Sequence, residues 1–307
     1  MLYVPKLRLS FKMFASLRIA FVLLSVFLTT VISASAYAQP LLFKAERGDQ
    51  TFYIYGTVHV GPNNQITVTK QIEDVLGVSD TLILEAKMDQ SVQFPTTSRF
   101  QVAQVLEKNE LKQLETIASE IRIDFGTLQS LPPWHAALIL QQTTFTQLNY
   151  YSEFGSEHQL SDWAKGNGIT IDGLETLQFQ IDLLSQQDEG GKEMLKQTLL
   201  EWPHNAHNIQ CLLASWQAGD IKNLSAMLEH DSDSSDFLKR LLIDRNDAWV
   251  AKLTNSTKYQ KGTYFVAVGA LHLVGPNSVI GLLRSNGYSV TQLSRSEEAK
   301  CIMKTHV

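Results

Sequence analysis

Two histidines in this chain stand in nearly the same phrase, and two imidazoles held at matching places in a fold can bind a metal ion or move protons. The first phrase runs Thr51-Phe52-Tyr53-Ile54-Tyr55-Gly56-Thr57-Val58-His59-Val60-Gly61-Pro62-Asn63. The second runs Thr263-Tyr264-Phe265-Val266-Ala267-Val268-Gly269-Ala270-Leu271-His272-Leu273-Val274-Gly275-Pro276-Asn277. Each is an apolar, β-branched and aromatic run, then Gly-x-x-His, then Gly-Pro-Asn. The run predicts a buried strand and the glycines and proline predict the turn that ends it. Each histidine is thereby carried just past the carboxyl end of a strand, where open α/β sheets bind ligands. With 17 Gly and 8 His in 307 residues, Gly-x-x-His arises by chance about 0.4 times (17 × 8 / 307). A third copy, Gly155-Ser156-Glu157-His158, lacks both the strand and the Gly-Pro and reads as coincidence.

Glu85 is the third candidate. It ends the run Thr81-Leu82-Ile83-Leu84-Glu85, a strand too apolar to leave a charge without a partner. His59, Glu85 and His272 together offer two imidazoles and a carboxylate. That set suits zinc with an open position for water, or manganese, cobalt or iron where further oxygens complete the shell. A divalent ion held this way activates water and polarises a carbonyl, the basis of metal-assisted hydrolysis. Glu175 also follows a strand and points to the same edge, and Arg245, in Asp244-Arg245-Asn246, is a weaker candidate for contact with the site or its substrate. Glu157 reads as a helix cap or a supporting base. His204 and His207 form an H-x-x-H pair without an evident third ligand and read as two exposed histidines. Asp231 to Asp236 lacks the Gly and distal Glu of a calcium loop and reads as a solvated helix cap. There is no G-x-S-x-G, no Gly-rich phosphate loop and no C-x-x-C.

The elements that must position these residues follow from periodicity. Residues 41–45 and 51–55 predict a hairpin around Gly48; 81–85 and 169–171 predict strands, as do 264–268 and 288–293. Helical spacing covers 66–76, 111–123, 134–148, 159–165, 177–184, 207–216, 237–253 and 278–285. The expected fold is α/β: a mixed or parallel sheet built from two pseudo-symmetric βαβ units, residues 39–90 and 258–297. A large, mainly helical insertion, residues 91–257, lies between them in one domain spanning 39–307. Residues 1–38 read as a signal peptide. Lys6, Arg8, Lys12 and Arg18 precede an apolar core from Ile19 to Val31, and Ala36-Tyr37-Ala38 is an A-x-A cleavage site. Cleavage after Ala38 would give a periplasmic or secreted protein without a stable membrane anchor. It would leave 22 basic residues (26 less those four) against 31 acidic ones, a net of −9, which argues against nucleic acid as a partner. Export would permit a disulfide between the two cysteines, Cys211 and Cys301, and two buried thiols are an equal alternative.

Taken in order, several segments resemble the TraB/GumN family: Gly56-Thr57-Val58-His59-Val60-Gly61, Leu82-Ile83-Leu84-Glu85, Gly173-Leu174-Glu175-Thr176 with Gln180, Trp216-Gln217-Ala218-Gly219-Asp220, the helix Leu242-Ile243-Asp244-Arg245-Asn246-Asp247-Ala248-Trp249, and the closing Val268-Gly269-Ala270-Leu271-His272-Leu273 with Gly287-Tyr288-Ser289-Val290. Asp244 stands where that helix motif usually carries Glu. The family includes Tiki-like metal-dependent proteases and is distantly similar to erythromycin esterase-like and ChaN-like proteins. The resemblance implies metal or catalytic roles for His59, Glu85 and His272. The leading expectation is an exported metal-dependent peptidase, with a peptide or small ester as substrate. A metal-independent esterase-like hydrolase, or a protein that sequesters a peptide or haem, are the alternatives.

Overall fold

The computed structural model describes residues 38–63, 68–95, 99–230 and 235–304. The signal-peptide reading and the Asp231–Ser234 part of the acidic run lie outside the described residues. Strands β1 (Leu42–Arg47) and β2 (Gln50–Thr57) form the expected hairpin, turned at Gly48, whose φ of +60° suits a residue without Cβ. The chain then makes β3 (Gly61–Pro62), α1 (Lys70–Gly77) and β4 (Thr81–Ala86). The insertion begins with α2 (Val102–Val105), α3 (Lys108–Ile121), α4 (Phe125–Ser130) and α5 (Pro133–Gln147). It continues through β5 (Tyr150–Tyr151), α6 (Ser156–Gly166), β6 (Thr170–Glu175) and α7 (Leu177–Ser185). It ends with α8 (Lys192–Ala218), α9 (Ile221–His230), α10 (Ser235–Leu238), a π-helical turn (Lys239–Ile243) and α11 (Asp244–Asn255). Strand β7 (Gly262–Gly269), a 3₁₀ turn (Ala270–Leu273), α12 (Val279–Ser285) and β8 (Ser289–Gln292) close the fold.

Six strands form one sheet in the order β6-β4-β7-β2-β1-β8, in which β6, β4, β7 and β2 are mutually parallel and β1 is antiparallel to both neighbours. Parallel strands need crossover connections, and these cover both faces. Tyr55, Leu82, Leu84, Phe265 and Ala267 face Ile72 and Leu76 of α1 and Leu160 and Ala164 of α6. Ile54, Ile83, Val266 and Val268 face Trp249, Val250 and Leu253 of α11 and Ile280 and Leu283 of α12. The alternation along β2 and β7 is the two-residue period of a strand buried on both sides. Strands β2 and β7 are direct neighbours, with Tyr55 opposite Ala267 and Gly56 opposite Val268. The expected pseudo-symmetry of two βαβ units is not carried through: β4 lies beside β7, whereas β1 takes the place beside β2 and moves β8 one position outward.

The apolar spacing predicts a helix that starts at His207. The structure instead runs α8 unbroken through Pro203. Proline lacks the N–H that would bond the carbonyl four residues back, and here Gln113 of α3 donates its Nε2–H to Leu199 O at 2.7 Å. His204 and His207 therefore lie within the helix and are half-buried rather than exposed, and His207 Nε2 bonds Ile302 O at 2.9 Å.

Cys211 and Cys301 form a disulfide that ties the carboxyl-terminal tail to α8. Asp220 supports the same contact: its Oδ1 caps α9 at Asn223 N, and its Oδ2 accepts from Ala299 N. Reduction should expose the tail beyond Gln292 to proteolysis before the sheet opens, and timed digestion with and without reductant measures the order of cuts. No helix among the described residues is long and apolar enough to cross a membrane.

Candidate active site

The four parallel strands deliver their candidates side by side. Glu175 ends β6, Glu85 lies at the end of β4, His272 sits in the 3₁₀ turn after β7, and His59 follows β2. The order of strands across the sheet is thus also the order Glu175, Glu85, His272, His59.

Arg245 joins three of them. It is 7 % exposed and projects from α11, where its Nη2 donates to Glu85 Oε2 at 2.5 Å and to Glu175 Oε1 at 2.7 Å. Its Nη1 donates to Leu241 O at 3.0 Å and stands 3.3 Å from His272 Nε2, and the guanidinium lies 4.6 Å from the Trp249 ring. The π-helical turn supplies that Leu241 carbonyl; such turns are rare and often accompany functional sites.

Glu85 is 6 % exposed. Its Oε1 accepts from Gly269 N at 2.8 Å and its Oε2 from Gln180 Nε2 at 3.2 Å. Burial pushes its pKa up, but His272 and His59, both protonated in the acid range where Glu85 titrates, together with Arg245 and the Gly269 amide outweigh burial and hold it at about 2. Gln180 also donates to Glu175 Oε1, and Trp249 Nε1 donates to Glu175 Oε2 at 2.8 Å, so both carboxylates are well bonded.

His272 is buried against Trp249, and burial pushes its pKa down to about 4 against the attraction of Glu85. It is therefore neutral at pH 7. Its Nδ1 lies 2.6 Å from Asn246 Oδ1. Asn246 Nδ2 donates to Asn277 O, which turns Oδ1 toward the ring, so Nδ1 carries the proton and Nε2 a lone pair. That lone pair faces Arg245 and is 3.8 Å from Glu85 Oε1.

His59 is placed differently. Its side chain is 72 % exposed, with Nδ1 at 2.9 Å from Oε1 of the buried Glu157. The Glu157 charge raises its pKa toward about 9 against the opposing effect of desolvation, although the open face of the ring lets water screen that attraction. Thr57 Oγ1 donates to the same Glu157 oxygen at 2.6 Å. The partner of His59 therefore comes from the Gly155–His158 segment, which sequence reasoning set aside as coincidence.

The structure brings Glu85, His272, Glu175 and Arg245 into one bonded group and sets His59 at the neighbouring strand end. Asn246, Trp249, Gln180 and Trp216 were present in the sequence motifs, but nothing in their spacing assigned them roles. Trp216 Nε1 donates to Gly56 O at 2.8 Å and so fixes the strand end from which His59 departs. Among the described residues, no three His, Cys, Asp or Glu side chains lie close enough together to hold an ion as they stand. The donor chemistry nevertheless fits a divalent cation. Glu85 and Glu175 are two sheltered carboxylates sharing one sheltered guanidinium, and Glu85 stands beside the lone pair of a neutral imidazole, so one carboxylate charge is left for a cation to balance.

The TraB/PrgY/gumN family model matches residues 41–292. The uncharacterized protein YbaP of Escherichia coli is 28 % identical over 261 residues, covering 84 % of this chain and 97 % of that protein. An uncharacterized protein of Treponema pallidum is 22 % identical over 290 residues, covering 84 % and 86 %. A metalloprotease TIKI homolog of Amphimedon queenslandica is 31 % identical over 87 residues, 28 % of this chain and 15 % of that protein. No solved structure matches this chain.

Proposed function

From the premise that this chain belongs to the TraB/PrgY/gumN family, we propose that it is an exported metal-dependent hydrolase of amide bonds, with its centre at His59, Glu85 and His272. The observation that carries this reading is the alignment of two imidazoles and a carboxylate on the adjoining ends of β2, β7 and β4. The partial likeness to a protein named a metalloprotease supports it. The disulfide supports export, since reducing compartments rarely keep one.

In this reading His59, Glu85 and His272 hold the ion, which could be zinc, manganese or cobalt. When bound, it would supply Lewis-acid polarisation of the scissile carbonyl and activation of water. The surrounding residues set the donors in place. Arg245 keeps Glu85 ionised, Glu175 and Trp249 hold Arg245, and Asn246 keeps the His272 lone pair on Nε2. The exposed His59 lies on the side open to solvent and to substrate.

The test uses residues 39–307, stripped with chelator and then titrated with Zn²⁺, Mn²⁺ or Co²⁺. Binding of about one ion per chain, with metal-dependent cleavage of unstructured peptides, is expected. His59→Ala or His272→Ala should abolish both while leaving a folded protein. Cleavage that persists in the stripped protein would favour a metal-independent hydrolase, a reading consistent with the guanidinium lodged between Glu85 and His272. Absence of both metal binding and cleavage would leave the sequestering protein.

A further inference from the structure

The segment from β5 to the start of α6 is built against the first histidine. Tyr150 and Tyr151 pair with Pro62 and Gly61. Ser156 N donates to Val58 O at 3.0 Å, and Ser156 Oγ accepts from Val58 N at 3.3 Å. Two glycines make the approach possible. A Cβ on Gly155 would lie 2.6 Å from His59 O, and one on Gly61 would lie 2.1 Å from Phe154 O. Neither φ is positive, so close backbone contact, not turn geometry, accounts for glycine at these positions. The result is a strap from the helical insertion that crosses the His59 loop and inserts Glu157 beneath the ring.

We propose that Glu157 is the positioning residue for His59 and that the docked strap, not the first motif alone, completes the site. The argument is geometric. Glu157 is buried, and one of its oxygens accepts from both Thr57 Oγ1 and His59 Nδ1. A carboxylate can only accept, so the neutral His59 ring keeps its proton on Nδ1 and presents the Nε2 lone pair outward. Asn246 enforces the same choice on His272. Two unrelated side chains, one from α6 and one from α11, thus select the same tautomer on two histidines. A hydrogen bond to the far nitrogen is the usual way of orienting an imidazole ligand. The consequence for binding rests on the reading of this site as a metal centre; the tautomer does not.

The experiment compares wild type with Glu157→Ala, Glu157→Gln and Gly155→Ala, each as residues 39–307. Ring ¹⁵N shifts of His59 in the metal-free protein, followed to the neutral ring, report the tautomer. Calorimetric titration with Zn²⁺ alone reports affinity. Wild type and Glu157→Gln, which keeps an accepting oxygen, should show Nδ1–H. Glu157→Ala should show a mixture and lose about 10–100-fold in Zn²⁺ affinity. Gly155→Ala should disturb the ring as strongly without touching Glu157, because its Cβ displaces the His59 backbone. A wild-type tautomer in both Glu157→Ala and Gly155→Ala would overturn the proposal. Tautomer shifts in a protein that binds no Zn²⁺ would uphold the positioning role and sink the metal-dependent reading instead.

Discussion

Replacing Arg245 by methionine should lower stability by about 3–5 kcal/mol at neutral pH, among the largest effects of any single substitution in this fold. The volume is nearly kept, but Glu85 and Glu175 are left sheltered without their cation, and breaking a buried pair from one side costs about that much. The sign of the pH dependence distinguishes this loss from poor packing. The folded pKa of Glu85 is depressed to about 2. Its contribution is therefore present above the ordinary carboxylate range near 4 and is lost as pH falls toward 2. Wild type should lose that increment across this interval, and Arg245→Met, which keeps His272, His59 and the Gly269 amide beside Glu85, only part of it, so the two denaturation curves draw together in acid. Adding Glu85→Gln to Arg245→Met should restore part of the stability at pH 7. If the double variant were no more stable than Arg245→Met, the pair would not be coupled as described. Chemical denaturation of wild type, Glu85→Gln, Arg245→Met and the double variant at pH 7 and pH 3 gives the whole cycle.

The second large effect belongs to the histidines of the metal-free protein, and the two act with opposite sign. His272 has its folded pKa lowered from 6.5 to about 4. The unfolded chain takes up this proton first, so stability falls as pH drops from about 6.5 to about 4, by about 3 kcal/mol at the end of that window. His59 has its folded pKa raised. Its contribution is complete below 6.5 and is lost as pH rises toward about 9. Metal-free wild type should therefore be most stable near pH 6.5, with a decline on either side. His272→Gln should flatten the acid limb between 6.5 and 4, and His59→Gln the alkaline limb. If neither limb changed, these environments would be misread.

The sequence made the strand-end histidines and Glu85 legible because a continuous apolar run, ended by glycine before each histidine and by the carboxylate itself at Glu85, marks where a buried strand stops. What holds them was harder to read. Glu157 begins a helix, and Asn246 and Trp249 sit in a polar helical stretch that looks like a solvated face. Their partners are 98, 26 and 74 residues away in the chain respectively, and periodicity carries no information across such distances. The same limit explains β1. The hairpin was visible, but not that its outer strand would occupy the place a symmetric partner of β4 required. The extension of α8 back through Pro203 was hidden for another reason: the bond that makes up for the missing N–H comes from Gln113, on a different helix.

Strand β7 is late in the chain and central in the sheet, lying between β4 and β2. A growing polypeptide holds β2 and β4 without the strand that pairs with both until residues 262–269 arrive. Until then His59 and Glu85 belong to segments with no common ladder, and neither His272 nor the Gly269 amide that bonds Glu85 exists. The centre is therefore absent from every amino-terminal fragment that stops short of β7.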